Sequence, residues 1–180
     1  MSIKEIENIL QKFRWGKLER LYGSAHPSII GFIATEWLSQ SKKHCVLDGA
    51  PSPIVGGGRR GQKNADIILC KQDNPFIVVE VETSVKKYFE KIRTIFKYLE
   101  NITDFNGIEF GLLFMCNRKN GREEYKHCWD SIKSNVRNNN HSIALVSIEK
   151  EKSKLNGSII SKLRKRSESD YYQWEIIIKE

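Results

Sequence analysis

The stretch NADIILCKQDNPFIVVEVET, residues 64–83, predicts two β-strands joined by a tight turn. The first run, 65–71, is short and apolar, and the second, 76–82, is rich in β-branched residues, which favour strands. The tripeptide Asp-Asn-Pro at 73–75 is typical of turns. We therefore expect a β-hairpin at the centre of the fold.

The hairpin carries three carboxylates, Asp66, Glu80 and Glu82. Side chains along a strand alternate between the two faces of a sheet, so Glu80 and Glu82 are expected on one face together with Val78. Two interpretations are open: an exposed sheet face that carries acids without a specific role, or a site at which the acids converge. An acid pair in an otherwise apolar strand requires neutralisation, which favours the converging site. The opposite face is predicted to carry Ile77, Val79 and Val81.

Length and composition indicate one globular domain. The chain has 180 residues, of which 39% are hydrophobic and 29% charged, and this length is sufficient for a sizeable core. No apolar run of about 18 residues predicts a membrane span. Residues 1–10 lack the apolar segment of a secretory signal. We therefore expect a cytoplasmic protein.

The charge balance favours a polyanionic partner. Lysine and arginine outnumber aspartate and glutamate by 30 to 22, which gives a net charge of +8. The four cysteines form no CxxC pair, and together with the four histidines they match no zinc-ligand spacing. The cysteines are therefore predicted to be reduced thiols in or near the core.

Two helices are predicted before the hairpin. Residues 3–21 carry apolar residues at helical spacing, and this helix is expected to end near Gly16 or Gly23. Pro27 suits the first turn of a second helix. Glu36 on that helix is either a solvated residue or a further acid near a metal. The apolar stripe of the second helix is Ile30, Ile33, Trp37 and Leu38.

A strand at 44–48 is followed by a loop at 49–61 that is rich in glycine and proline. Its sequence matches neither a phosphate-binding P-loop nor a dinucleotide-binding fingerprint. Arg59, Arg60 and Lys63 lead from this loop directly to the hairpin. The loop is either a surface loop without a specific role or a loop that grips a phosphate backbone.

A long amphipathic helix is predicted over 85–100, with Thr83 or Ser84 as its cap. Lys86 and Lys87 at its N-terminus oppose the helix dipole and directly follow the acids, so we expect them to have a functional role. Its apolar stripe is Val85, Phe89, Ile92, Phe96 and Leu99, and its basic residues are Lys86, Lys87, Lys91, Arg93 and Lys97.

The remaining segments complete an α/β fold. Two apolar strands enclose a helix, which predicts a parallel crossover, and a polar stretch at 149–170 precedes a terminal strand. These later elements are predicted at 110–116, 124–136, 142–148 and 171–179. We predict a single α/β domain with a central mixed sheet, in which a hairpin precedes a strand-helix-strand crossover and helices flank the sheet. Its core covers about residues 27–148, followed by a basic segment and strand at 149–180.

The carboxylates predict a metal site. Like charges in one site raise one another's pKa unless a cation neutralises them. Mg²⁺ prefers oxygen ligands and is often held by one or two carboxylates together with substrate phosphate oxygens. We expect Mg²⁺ at this site and expect that Mn²⁺ can substitute for it. Asp66 and Glu80 are the predicted ligands, with Glu36 as a further candidate. With a lysine that orients water, this set predicts phosphodiester hydrolysis.

The order of helix, strand, hairpin, amphipathic helix and strand, with Asp66 followed by Glu80-Val81-Glu82, resembles the core of the PD-(D/E)xK nuclease superfamily, the restriction-endonuclease-like fold. The resemblance implies that Asp66 and Glu80 bind the metal and that a lysine two residues later places the attacking water. In this chain Glu82 occupies the lysine position, and Asn64-Ala65 precede Asp66 where the family often has proline.

The position of the lysine is therefore open. Some restriction endonucleases of the superfamily also carry glutamate at this place, and others have the lysine on a neighbouring helix. Lys86 and Lys87 are the candidates for such a migrated lysine, and Lys63 is the alternative. Asp66, Glu80, Glu82, Lys86 and Lys87 are the expected catalytic residues.

The resemblance implies a Mg²⁺-dependent DNA endonuclease of restriction-enzyme or junction-resolvase type, acting as a homodimer. The alternative, which Glu82 favours, is a nuclease-like fold that has lost catalysis and binds nucleic acid as an accessory or regulatory module. A structural or protein-interaction domain is the third interpretation. The residues expected to contact nucleic acid are Arg59, Arg60, Lys63, Lys91, Arg164, Lys165 and Arg166.

Overall fold

The computed structural model of the chain describes residues 3–13, 25–48, 65–84, 87–100, 107–117, 122–150, 163–165 and 170–180. Within these residues, four helices accompany one seven-stranded sheet. The helices are α1 (Ile3–Lys12), α2 (Ala25–Gln40), α3 (Tyr88–Leu99) and α4 (Arg122–Asn138). The strands are β1 (His44–Asp48), β2 (Ile67–Lys71), β3 (Asn74–Glu82), β4 (Phe110–Asn117), β5 (Ile143–Lys150), β6 (Leu163–Lys165) and β7 (Asp170–Ile177).

The sheet is mixed, with the strand order β1-β2-β3-β4-β5-β7-β6. β1, β2 and β3 form an antiparallel meander, whereas β3, β4 and β5 run parallel to one another. Helices α3 and α4 provide the two crossovers that parallel neighbours require. At the other edge, β7 is antiparallel to both β5 and β6. The predicted α/β fold, with a hairpin followed by a strand-helix-strand crossover, is confirmed.

Each face of the sheet is covered by its own helices and has its own core. On one face, Val79 and Val81 of β3 belong to the cluster that contains Ile33 and Trp37 of α2. On the other face, Val78 belongs to the cluster that contains Ile92 of α3. The predicted alternation of β3 is therefore confirmed, and it directs the side chains at positions 80 and 82 to the α3 face.

The hairpin turn lies one residue earlier than predicted. Gln72 and Asp73, with φ values of 50° and 65°, form a two-residue turn between β2 and β3. Pro75, predicted in the turn, instead lies in β3 opposite Cys70, beside a register shift in β2. Proline is tolerated there because β4 first pairs with β3 at Ile77, so no ladder bond to β4 requires its missing N–H.

The apolar face of each helix was predicted with errors of about one residue. Helix α1 ends at Lys12 rather than at a glycine; Gly16, Gly23 and the rest of 14–24 lie outside the described residues. In α2 the buried residues follow the spacing 29, 33 and 37, and Leu38 is 48% exposed. In α3, Ile92 and Phe96 are buried as predicted, whereas Phe89 is 37% exposed and Tyr88 and Ile95 are buried in addition. An apolar stripe wider than the contact leaves its margin in solvent.

The start of α3 also differs from the prediction. Lys87 is the N-cap residue, and no side-chain hydrogen bond caps the helix among the described residues. Ser84 contributes its backbone carbonyl, which accepts a hydrogen bond from the Lys87 N–H at 3.0 Å. Neither Thr83 nor Ser84 is therefore a side-chain cap. Val85 and Lys86 lie outside the described residues.

The other predicted elements are present within one or two residues of their expected bounds, namely β1, β4, α4, β5 and β7. Strand β6, in the polar stretch at 149–170, was not predicted. Its three residues are too few for a periodic pattern, and it forms by pairing with β7. The Gly-rich stretch 49–61 lies outside the described residues.

Gly111 allows α3 to approach the sheet closely. A Cβ atom at this position in β4 would overlap Ile95 Cγ2 of α3 and lie 3.2 Å from Ile143 Cγ1. We expect Gly111→Ala to lower the free energy of unfolding by about 1–3 kcal/mol, measured by urea denaturation. Combining it with Ile95→Ala, which removes the overlapping methyl group, should give a loss smaller than the sum of the two single losses. Wild-type stability of Gly111→Ala would contradict this packing.

Two predictions from composition also bear on the structure. None of the helices in the described part of the chain has the length and apolar character that a membrane span requires. Among the described cysteines, Cys45, Cys70 and Cys128 are free thiols. Burial, followed by the neighbouring Cys45, raises the pKa of the Cys70 thiol to about 12, and burial raises the pKa of Cys128 to about 11. Both thiols are therefore protonated at neutral pH.

Candidate active site

The hairpin register brings Asp66 to Glu80. Ile67 of β2 pairs with Val79 of β3 in the antiparallel ladder. The preceding residue, Asp66, therefore lies beside the residue that follows Val79, which is Glu80. The Val81 N–H donates a hydrogen bond to Asp66 Oδ2 at 2.7 Å. Two acids separated by 14 positions in the sequence are thereby fixed next to each other.

Lys91 joins the two acids. Its Nζ lies 3.2 Å from Asp66 Oδ2 and 3.4 Å from Asp66 Oδ1, and it also donates to Glu80 Oε2. Lys91 is on α3, one helical turn after the N-cap residue Lys87, and α3 packs on β3 and β4. The ammonium group therefore forms one cluster with Asp66 and Glu80.

His26 reaches the same cluster from the opposite side. It lies in the first turn of α2, and its Nε2 is 3.4 Å from Asp66 Oδ1. The side chain of His26 is 42% exposed, whereas that of Asp66 is 14% exposed. Residues from α2, β3 and α3 therefore all contact or adjoin the single carboxylate that precedes β2.

The environments of the two acids drive their pKa values apart. Burial raises the pKa of Asp66, but hydrogen bonding to His26 and to the Val81 N–H, together with the charge of Lys91, outweighs it and lowers the value to about 2. Burial and then the negative charge of Asp66 raise the pKa of Glu80 to about 8, because Lys91 offsets them only in part. At neutral pH, Asp66 is ionised and Glu80 is protonated most of the time.

The acids also shift the pKa values of the two basic groups, Lys91 and His26. Burial lowers the pKa of Lys91, but the charges and hydrogen bonds of Glu80 and Asp66 outweigh burial and raise it above its ordinary value. Hydrogen bonding to Asp66 raises the pKa of His26, against the effect of partial burial. Lys91 is therefore a cation at neutral pH.

A cleft of about 320 Å³ opens onto this cluster between the N-terminal turns of α2 and α3. Its titratable lining residues are His26, Glu80, Glu82, Lys87, Glu90 and Lys91. Both acidic and basic groups thus line a space that a small polar group can enter. This arrangement suits a ligand that carries both a cation and negatively charged oxygens.

Glu82 has a structural role in addition to lining the cleft. Its Oε1 accepts hydrogen bonds from the Thr83 N–H at 2.7 Å and from the Ser84 N–H at 2.8 Å. The carboxylate therefore holds the backbone that leads from β3 into α3. These contacts give a physical reason for glutamate at a position where the resemblance implies lysine.

Glu36 is not brought to the cluster. It lies ten residues after His26 on the continuous helix α2, which corresponds to about 15 Å along the helix axis. Its Oε2 instead accepts a hydrogen bond from Lys12 Nζ at 2.7 Å. The structure therefore gives no support to Glu36 as a metal ligand.

The predicted basic residues are distributed unevenly. Lys87 lines the cleft as expected, but it is Lys91 that contacts both acids. Arg164 and Lys165 belong to β6, four strands away from β3 and so about 19 Å across the sheet. Arg59, Arg60, Lys63, Lys86 and Arg166 lie outside the described residues.

Asp66 and Glu80 have the chemistry to hold a hard cation. Glu80 Oε1 is buried and accepts no hydrogen bond from the described residues, so it has lone pairs available for a ligand. In the described part of the chain, no group of three or more His, Cys, Asp or Glu residues is arranged to hold a metal. A pair of carboxylates is a ligand set that Mg²⁺ accepts, because Mg²⁺ completes its coordination with water and phosphate oxygens.

The sequence analysis did not predict that Lys91 and His26 contact the acids. Lys91 was expected to bind nucleic acid, yet its position four residues after Lys87 puts both lysines on the same side of the helix. That spacing was a usable signal. His26 had no comparable signal, because its contact with Asp66 depends on how α2 crosses the sheet. No family model, no curated protein and no solved structure matches the chain.

Proposed function

We propose that this protein is a Mg²⁺-dependent endonuclease that hydrolyses DNA phosphodiester bonds, with Asp66, Glu80 and Lys91 as its catalytic cluster. The main support for the proposal is that these three side chains meet in one cluster, of which Glu80 and Lys91 line a cleft. Two carboxylates and one amine are the groups that the resemblance to the PD-(D/E)xK superfamily requires. Here the amine comes from α3 rather than from β3.

The order and direction of the elements support the same assignment. Helix α2 precedes the antiparallel meander β1-β2-β3, and α3 then returns the chain so that β4 lies parallel to β3. Asp66 immediately precedes β2, and Glu80 lies near the end of β3. This arrangement fits a restriction-endonuclease-like fold of the restriction-enzyme or junction-resolvase type.

Asp66 and Glu80 would hold the metal, and Glu80 contributes the buried Oε1. Bound Mg²⁺ would lower the pKa of a water molecule and offset the charge of the reacting phosphate. Lys91 has three N–H donors, with which it can orient a nucleophilic water and stabilise negative charge on the phosphate oxygens. Lys87 at the cleft rim is placed to contact the phosphate backbone.

The net charge of +8 is consistent with a nucleic-acid partner. A chain with one cluster of this kind can cut one strand at a time. A symmetric homodimer would present two clusters to the two strands of a duplex, so we include a homodimer in the proposal.

The test is cleavage of supercoiled, linear and branched DNA by the purified protein, with Mg²⁺ or with EDTA. We expect cleavage only with Mg²⁺, and a loss of at least about 100-fold in Asp66→Asn and in Glu80→Gln. Asp130→Asn, which changes an exposed acid on α4, is the matched control and should cleave like the wild type. Cleavage that persists in EDTA or in Asp66→Asn would contradict the proposal.

One observation favours the alternative, a nuclease-like domain that binds nucleic acid without cleaving it. Lys91 contacts both acids and Glu80 holds a proton at neutral pH, so the charge of Lys91 balances that of Asp66 without a metal. In that case DNA affinity should fall steeply with salt, no metal-dependent cleavage should occur, and Glu80→Gln should leave DNA affinity unchanged. Fluorescence anisotropy with labelled DNA, in parallel with the cleavage assay, separates the two functions.

A further inference from the structure

The carboxylate of Asp66 has contacts on both oxygens. Oδ2 accepts the Val81 N–H at 2.7 Å and faces Lys91 at 3.2 Å. Oδ1 faces His26 Nε2 at 3.4 Å and Lys91 at 3.4 Å. All three partners lie on regular elements, since Val81 is in β3, His26 is in the first turn of α2 and Lys91 is in α3.

The third partner, Lys91, differs from the other two in the flexibility of the group that contacts Asp66. Lys91 has a flexible four-carbon side chain, and its ammonium is shared with Glu80. A lysine that also contacts the substrate or a water molecule during the reaction cannot hold Asp66 in one orientation throughout. The orientation of Asp66 then depends on the Val81 N–H at one oxygen and on the imidazole of His26 at the other.

We propose that His26 is a positioning residue that orients the Asp66 carboxylate for a divalent cation, an inference that rests on the proposed metal-dependent function. Outer partners of metal-ligating carboxylates fix the direction of the ligand oxygens, and their removal typically weakens metal binding by about 10–100-fold. The role requires the Nε2 end of the imidazole, which is the atom that faces Oδ1.

The test uses binding of Mn²⁺ to the purified full chain at pH 8, followed by electron paramagnetic resonance of the free ion. We expect His26→Ala to raise the dissociation constant for Mn²⁺ by about 10–100-fold. His26→Gln carries an amide that reaches as far as Nε2, so it should recover most of the affinity. His26→Asn is one methylene shorter and should behave like His26→Ala.

His141→Ala is the matched control. Its Nε2 also lies 3.4 Å from a carboxylate, that of Glu100, but this pair does not line the cleft. The variant should bind Mn²⁺ within twofold of the wild type. Because His26 is partly exposed, the substitutions at position 26 should retain the wild-type circular dichroism spectrum, and the Gln and Asn pair keeps the comparison valid if the alanine variant unfolds.

The outcomes separate this inference from the function on which it rests. If Asp66→Ala binds Mn²⁺ as tightly as the wild type, the proposed metal site itself is wrong. If Asp66→Ala loses Mn²⁺ but His26→Ala and His26→Asn bind within twofold of the wild type, the metal site stands and the role of His26 is overturned. An equal loss in His26→Gln and His26→Asn would also overturn it, because reach to Oδ1 would then be irrelevant.

Discussion

Replacing Lys91 with methionine is expected to reduce kcat for DNA cleavage by about 10²–10⁴-fold, the range observed when a group that activates water or stabilises transition-state charge is removed. Methionine matches the four-atom apolar stem of lysine but lacks the ammonium group that joins Asp66 to Glu80. The measurement is single-turnover cleavage at saturating Mg²⁺ and DNA, which separates the chemical step from binding.

Two other lysines of the same region, Lys97 and Lys87, serve as comparisons for Lys91→Met. Lys97→Met changes a lysine in the last turn of α3 and should keep wild-type kcat and KM. Lys87→Met should raise KM and change kcat only slightly, because Lys87 lines the cleft without being the lysine that joins the acids. If Lys87→Met abolishes the chemical step and Lys91→Met does not, the catalytic lysine is Lys87.

Replacing Glu80 with glutamine is expected to change how stability depends on pH in the absence of metal. The pKa of Glu80 is raised from an ordinary value of 4.5 to about 8, with burial as the main cause. Between these values the folded state binds more protons than the unfolded state, so the stability of the wild type falls as pH rises. The slope for one such group is at most about 1.4 kcal/mol per pH unit.

The difference between wild type and Glu80→Gln can therefore reach about 4 kcal/mol between pH 5 and pH 8, and it should level off above pH 8. Urea denaturation in EDTA at intervals of one pH unit measures it. The exposed Glu109→Gln should keep the wild-type slope. Parallel curves for wild type and Glu80→Gln across this range would mean that Glu80 does not retain its proton in the folded state.

The features of the fold that follow from local periodicity were predicted from the sequence. The alternation of β3, with Val78 and the two glutamates opposite Val79 and Val81, follows from the two-residue repeat of a strand and is present in the structure. The errors concern helix phase, such as the exposed Leu38 and Phe89. A stripe of apolar residues shows that one side of a helix is buried, but the line of closest contact depends on how the helix crosses the sheet.

The sequence by itself determined the two acids of the candidate site, because the hairpin register that joins Asp66 to Glu80 is local. Tertiary structure alone decided the remaining members of the site. It brought Lys91 rather than Lys87 to the acids, placed His26 against Asp66, and directed Glu36 to Lys12. The first two contacts join α3 and α2 to the hairpin, and the third joins α2 to α1. No local repeat encodes them, since they arise from the packing of helices on the sheet and on one another.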